Sequence, residues 1–222
     1  MTNPTIVGTL PGMRIVAGEF RGRRLAAVRG ADVRPTSDRV REAVFSILGD
    51  IHGLVVLDLF AGTGAMGLEA LSRGAVGATF VEIDRQAHEV VRRNIDATVT
   101  GDSRRTNLIK GDAERVVRSL ALAGERFDLV FFDPPYDHTE RLLDSTRASL
   151  PTICGAGSRV VLELATRHKD LVEEAALAWG AEVLLKRAYG DTAIAILELD
   201  GQPTLDPGAD VDPDDYDDDS RD

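Results

Sequence analysis

The chain has one cysteine, Cys154, among its 222 residues. A single thiol excludes an intrachain disulfide framework and a multi-cysteine zinc site. Long apolar runs are missing as well. Nothing approaches the ~18 consecutive apolar residues of a membrane span, and Met1 to Gly12 has neither a basic start nor a long apolar centre. A soluble, cytoplasmic protein is expected. The four histidines (His52, His88, His138 and His168) are scattered, and no metal is expected. The lysine and Ser/Thr ending of a G-x-x-x-x-G-K-[ST] loop is absent, which disfavours nucleoside triphosphate hydrolysis.

A composition of 43% hydrophobic and 28% charged residues is enough for a core of the chain's own. The net charge of −11 is unevenly spread. Asp200 to Asp222 holds ten aspartates against Arg221, a net −9, so that residues 1–199 carry only −2. A segment so poor in apolar residues cannot repay the entropy of ordering, and residues 200–222 are expected to be a disordered acidic tail. Met13 to Leu48 reverses the sign, with Arg14, Arg21, Arg23, Arg24, Arg29, Arg34, Arg39 and Arg41 against four acids. Such a patch can meet nucleic-acid phosphates, or it can simply keep a small appendage soluble.

The order of elements is legible from periodicity. MRIVAGEFRGRRLAAV predicts a short hairpin with Gly18 and Gly22 near its turn, and RPTSDRVREAVFSIL a helix capped by Thr36 or Ser37. Short apolar strands then alternate with helices, from VVLDLF through ATFVEID and TNLIKGD to FDLVFFD and RVVLELA. Strands buried on both faces imply a parallel sheet covered by helices. In EVLLKRAYGDTAIAILEL only a few residues separate two strands, so the last pair is expected to be antiparallel. The fold class is therefore α/β and Rossmann-like. The expected organisation is a flexible extension over 1–12, an arm over 13–50, the main domain over 51–199 and the tail.

After the first strand, DLFAGTGAMG places Gly62, Gly64 and Gly67 at G-x-G-x-x-G spacing. Gly62 and Gly64 permit a tight turn with close backbone approach to a ligand, and Gly67 permits close helix packing. The motif alone fits dinucleotides and other adenosine cofactors equally. Asp58, just before this turn, would sit awkwardly beside a pyrophosphate but suits the ammonium end of S-adenosylmethionine; it can also cap local amides. Glu82, at the second strand's end, can accept both ribose hydroxyls. Asp112, at the third, can receive the adenine amino group beside the amide of Ala113, or cap the helix that follows. Phe60, Thr63 and Ile83 complete the candidate cofactor set.

FFDPPYD closes the fourth strand. Pro134 and Pro135 lack amide hydrogens and hold the backbone extended. Asp133 and the Pro134 carbonyl can then accept the two hydrogens of an exocyclic amine, while Tyr136 stacks on the base that carries it. The plain alternative is a rigid turn with Asp137 as a helix cap. Cys154 lacks a neighbouring partner and reads as a small apolar filler, not a nucleophile.

DLFAGTGAMGLEALSRGA, FVEID, GDA and FDLVFFDPPY resemble the S-adenosylmethionine-dependent methyltransferases that modify exocyclic amines. MRIVAGEFRGRRL, RPTSDRVREAVFSIL and YGDT narrow the likeness to the bacterial RsmD family of 16S ribosomal RNA guanine-N2 methyltransferases, over about residues 13–199. The resemblance implies a seven-stranded sheet with an N-terminal hairpin and helix, and activity on guanine in the 16S rRNA of an assembling small ribosomal subunit, with its ribosomal proteins as further contacts. It implies a monomer without a membrane partner, Asp133 to Tyr136 as the catalytic motif, and Arg34, Thr36 and Arg39 as arm residues that reach RNA. Arg21, Arg23 and Arg24 join them as candidate phosphate contacts. Residues 1–12 and the aspartate tail depart from the family's usual extent. The residues alone leave other readings open: adenine-N6 DNA or protein-glutamine methylation, an NAD dehydrogenase, or a ribosome-binding assembly module.

Overall fold

A computed structural model describes residues 13–28, 38–99 and 105–200. Arg34, Thr36 and the expected cap at Thr36 or Ser37, residues 1–12, and the tail beyond Asp200 lie outside the described residues. The elements are α1 (Asp38–Leu48), β1 (Val55–Asp58), α2 (Ala65–Ser72), β2 (Gly77–Glu82), α3 (Arg85–Thr98), β3 (Thr106–Lys110), α4 (Ala113–Leu122), β4 (Phe127–Phe132), α5 (Thr139–Thr146), β5 (Cys154–Ala165), α6 (Leu171–Trp179), β6 (Ala181–Tyr189) and β7 (Thr192–Leu199).

Seven strands form one sheet in the order β3-β2-β1-β4-β5-β7-β6. The first five are parallel, as their apolar runs require, and β7 runs antiparallel to both β5 and β6. The β6–β7 connection is only Gly190 and Asp191, with Gly190 at φ 63°, too short for a parallel crossover. This is a class I methyltransferase-like α/β fold. Its chain reverses direction across the sheet between β1 and β4, and at such a switch point ligands bind beyond the carboxyl ends of the strands.

Alternation along each strand feeds two cores. Leu57, Val130, Phe132, Val160 and Leu162 pack with Val117 of α4, Leu143 of α5 and Trp179 of α6. On the opposite face Val56, Phe80, Phe131 and Val161 pack with Phe45 of α1, Leu68 of α2 and Val91 of α3. Ile15, Phe20 and Leu25 of the arm belong to this second core, so the arm is seated on the sheet's own hydrophobic layer.

The expected hairpin forms as a short one: the amides of Ile15, Gly22 and Leu25 donate to the carbonyls of Arg23, Ile15 and Met13 (2.9, 2.9 and 3.0 Å) around an antiparallel bridge, Arg14 to Arg24. Near its turn the arm's backbone groups go to α2 instead. The amides of Val16 and Ala17 donate to the Glu69 carboxylate of α2 (2.7 and 3.0 Å), and the Phe20 amide donates to the Ser72 hydroxyl (2.9 Å). Groups bonded to helix side chains cannot extend the pairing, which keeps the hairpin short. Gly18, at φ 82°, lies so close to α2 that a Cβ would fall 1.7 Å from the Ser72 carbonyl oxygen.

Arg41, counted by sequence within a basic surface, is in fact fully buried. Its guanidinium donates to the Asp38 carboxylate (2.7 Å) and the Arg14 carbonyl (2.6 Å) and lies 3.6 Å from Glu69, which also pairs with Arg73 at 2.8 Å. Glu69 is itself fully buried. Removing one member of a buried ionic cluster strands the other charge. Glu69→Ala is therefore expected to cost about 3–5 kcal/mol in urea unfolding, with a smaller loss for Glu69→Gln; a loss below about 1 kcal/mol would show that the arm is held without it.

Candidate active site

The carboxyl ends of β1, β2, β3 and β4 present the acids that the sequence singled out. The loop after β1 is pinned on both sides by backbone bonds, Leu59 N–H to the Phe131 carbonyl (3.1 Å) and Ala61 N–H to the Val81 carbonyl (3.0 Å). Gly62 and Gly64 adopt left-handed φ values of 56° and 76°. A Cβ at Gly62 would meet nothing closer than the Phe60 carbonyl at 4.0 Å, so the glycine leaves an open cradle over the loop. Gly67 serves packing instead, since a Cβ there would lie 2.3 Å from the Phe80 ring and its absence lets α2 lie close on β2.

Asp58 is buried and accepts the Gly67 amide at 3.0 Å. Burial raises its carboxyl from 3.8 to about 7, against the lowering effect of that hydrogen bond, with a further upward push from Glu82. Glu82 accepts the amides of Gly62 and Asp84, each at 2.8 Å, so it braces the glycine loop from the neighbouring strand. Each of its oxygens retains a lone pair for a hydroxyl. Asp112 is the N-cap of α4 and accepts the Arg115 amide at 3.3 Å; Ala113 follows it, buried, in the first turn. The capping reading of Asp112 is thus realised without using its second oxygen. Ile83 is 63% exposed beside Glu82, an apolar side chain left on this shelf. Phe60 packs edge-on against Phe132, and Thr63 bonds the Met13 sulfur at 3.4 Å. Open glycine cradle, acids for hydroxyl, amine and cationic groups, and an exposed apolar side chain fit an adenosine ligand with a positively charged end.

Asp133, one residue past β4, is half-buried, and its carboxyl is pushed well above the usual range by burial, then by Glu163, then by Asp58. Pro134 is buried and Pro135 exposed. Tyr136 opens a short 3-10 turn, its hydroxyl 3.5 Å from Thr192 and its ring 5.7 Å from the Arg167 guanidinium. No side-chain cap is made at that turn or at α5, so Asp137 does not act as the cap of the rigid-turn alternative. Cys154 is buried at the start of β5, its thiol pushed up to about 12 by burial, as an inert filler should be.

The arm arginines separate. Arg21, Arg24 and Arg39 are exposed. Arg23 instead donates to the Ala97 and Thr98 carbonyls at the end of α3 and lies over Phe20, so its charge serves the arm's attachment. Sequence reasoning missed three residues. Asn94 of α3 bonds both backbone groups of Ala26 and the Thr63 carbonyl, joining arm to glycine loop. Glu69 and Glu163 are buried acids inside apolar patterns, and that interruption was the available signal. Among the described residues no cluster of His, Cys, Asp and Glu is placed to hold a metal ion.

A family model described as Conserved hypothetical protein 95 matches residues 13–198. The chain belongs to this family, the RsmD family. A Bacillus subtilis relative, YlbH, whose name proposes an rRNA methyltransferase, is 33% identical over 85% of this RsmD-family chain and all of its own. The Escherichia coli ribosomal RNA small subunit methyltransferase D is 41% identical over 56% of this chain and 60% of its own length. Among solved structures, an E. coli protein, yhhF, described as a proposed methyltransferase, superposes with a TM-score of 0.70 at 30% identity, covering 86% of this chain and 99% of that one. No helix among the described residues of this RsmD-family chain is long and apolar enough to cross a membrane.

The folded chain holds the Asp58 proton more tightly than the unfolded chain does. That contribution to stability is complete below about pH 4 and is lost as pH rises through about 7. Asp58→Asn keeps an acceptor for the Gly67 amide but cannot ionise. Its melting temperature should therefore fall less than that of the wild type between about pH 5 and pH 8; parallel curves would contradict the burial of this carboxyl.

Proposed function

We propose that the protein transfers a methyl group from S-adenosylmethionine to the exocyclic N2 amine of a guanine in 16S ribosomal RNA, in an assembling small ribosomal subunit. The observation that carries the reading is the juxtaposition of two half-sites. The acids and glycine cradle at β1 to β3 suit a cationic adenosine cofactor, and Asp133 to Tyr136 stand at the end of β4, next to Asp58 across the switch point. Family membership and the relatives named for rRNA methylation support it.

S-adenosylmethionine, when bound, supplies an electrophilic methyl on a sulfonium. Asp58 holds the amino-acid end, Glu82 the ribose hydroxyls, and Asp112 with the Ala113 amide the adenine edge, which Ile83 covers. Phe60, Gly62, Thr63 and Gly64 shape the loop beneath. Asp133 and the Pro134 carbonyl accept the two hydrogens of the amine, which draws its lone pair out of conjugation and fixes its direction. Pro135 stiffens the turn, and Tyr136, steadied by Thr192 and Arg167, stacks on the base. No strong base is needed, because the methylated nitrogen is acidic enough to release its proton to water. Positioning dominates the rate. Arg21, Arg24 and Arg39 face the RNA phosphates, and Arg34 and Thr36, which lie outside the described residues, are assigned to RNA contact from the sequence alone. Such a substrate would be met in the cytoplasm.

Tritiated methyl transfer to unmodified small subunits tests the reaction, and calorimetry should show S-adenosylhomocysteine binding and none of NAD. RNA binding without transfer would favour an assembly module. Asp133→Ala should lower kcat by about 10²–10³-fold with cofactor affinity within a few-fold, since the amine contact matters chiefly in the transition state. Glu82→Ala should weaken cofactor binding first. An Asp133→Ala variant that transfers methyl at the wild-type rate would remove the DPPY motif from the chemistry.

A further inference from the structure

Glu163 is the charged interruption of an apolar strand. It lies in VVLELA of β5, only 8% exposed, among apolar strand neighbours where a carboxylate is uncommon. Its antiparallel partner on β7 is Ile194, a member of the core that also holds Phe131 and Val161. On the other side, β4 and β5 run in parallel register, Phe131 with Val161 and Phe132 with Leu162. One step further sets Asp133 beside Glu163, on adjacent strands ~4.8 Å apart and on the same face of the sheet. Glu163 acts on the Asp133 carboxyl more strongly than Asp58 does. A carboxylate has about four lone-pair sites, so each of the two acids can accept a ligand's donor alongside its partners in the protein.

The acceptors of such chemistry differ in what lies next to the amine. Guanine offers N1–H directly beside its N2 amine, two donor groups in a row. The N6 amine of adenine and the N4 amine of cytosine are flanked by a ring nitrogen acceptor, and the amide nitrogen of glutamine by its carbonyl oxygen. A second carboxylate beside Asp133 would meet those acceptors lone pair to lone pair. We propose that Glu163 is the residue that selects guanine: its carboxylate accepts the N1–H while Asp133 and the Pro134 carbonyl hold the N2 amine. This rests on the reading of the site as a guanine-N2 methyltransferase, and it gives that reading a physical basis for rejecting adenine and glutamine.

The test uses full-length protein and small subunits reconstituted from 16S rRNA that carries, at the nucleotide the wild type methylates, either guanine or 2-aminopurine. 2-Aminopurine keeps the amine but presents an acceptor at N1. The wild type should prefer guanine by about 10²–10³-fold in kcat/KM, because a site built to receive a hydrogen bond rejects the analogue that cannot make it. Glu163→Gln places an amide donor opposite N1, and its preference should collapse to within about tenfold. A ratio of rates on two RNAs is insensitive to a general loss of activity. Glu163→Ala provides a second route should the glutamine variant fold poorly, with melting temperature and S-adenosylhomocysteine affinity as folding controls; its preference should also fall. A wild-type preference retained by either folded variant overturns the role of Glu163. A wild type that methylates no guanine in unmodified subunits overturns the functional reading and this assignment with it.

Discussion

Asp58, Asp133 and Glu163 stand near one another on one face of the sheet, at the ends of β1, β4 and β5, and burial pushes the carboxyls of Asp58 and Asp133 above their ordinary range. Holding acids in such a place is unfavourable for an empty fold. The structure tolerates it because the sheet's switch point fixes the strand ends, and Gly67 gives Asp58 an amide to accept. The same burial makes the crevice receptive to a cation and to amine donors, which offset it. Much of the surrounding architecture serves to keep these ends in register: Glu82 braces the glycine loop, Asp112 caps α4, and the loop after β1 is bonded to both neighbouring strands.

The arm is fastened by a second set of buried polar groups on the same side of the sheet. Glu69, Ser72 and Asn94, from α2 and α3, take up the arm's backbone groups, and Arg41 is enclosed among Asp38, Glu69 and the Arg14 carbonyl. Asn94 joins the arm to Thr63 of the glycine loop. A surface that meets RNA through Arg21, Arg24 and Arg39 would thus be rigidly referenced to the cofactor side, as transfer to a specific nucleotide requires.

What was legible in the sequence was what periodicity and local chemistry encode. The apolar runs ending in Asp58, Glu82 and Phe132 named parallel strands, and the short YGDT connection named the antiparallel end. The acids at strand ends were visible because a carboxylate beside a glycine turn or a capping position stands out. The arm was less legible. Its glycines and branched residues suggest a hairpin, which forms, but the amides of Val16, Ala17 and Phe20 near the turn are satisfied by side chains more than 50 residues away, which no local pattern reveals. Arg23 and Arg41 read as surface charge because an arginine's partners are likewise distant in sequence. Glu163 was passed over within a strand, where its register with Asp133 appears only once β4 and β5 are paired.

A buried, proton-holding Asp58 would be matched to the cationic end of the proposed cofactor. Calorimetry of S-adenosylhomocysteine binding at about pH 6.5, in buffers of different ionisation heat, measures this directly. A ligand ammonium favours ionised Asp58, so binding to the wild type should release a substantial fraction of a proton, and binding to Asp58→Asn should release almost none. Equal proton release by the two proteins would show that Asp58 is not the group that meets the ligand ammonium.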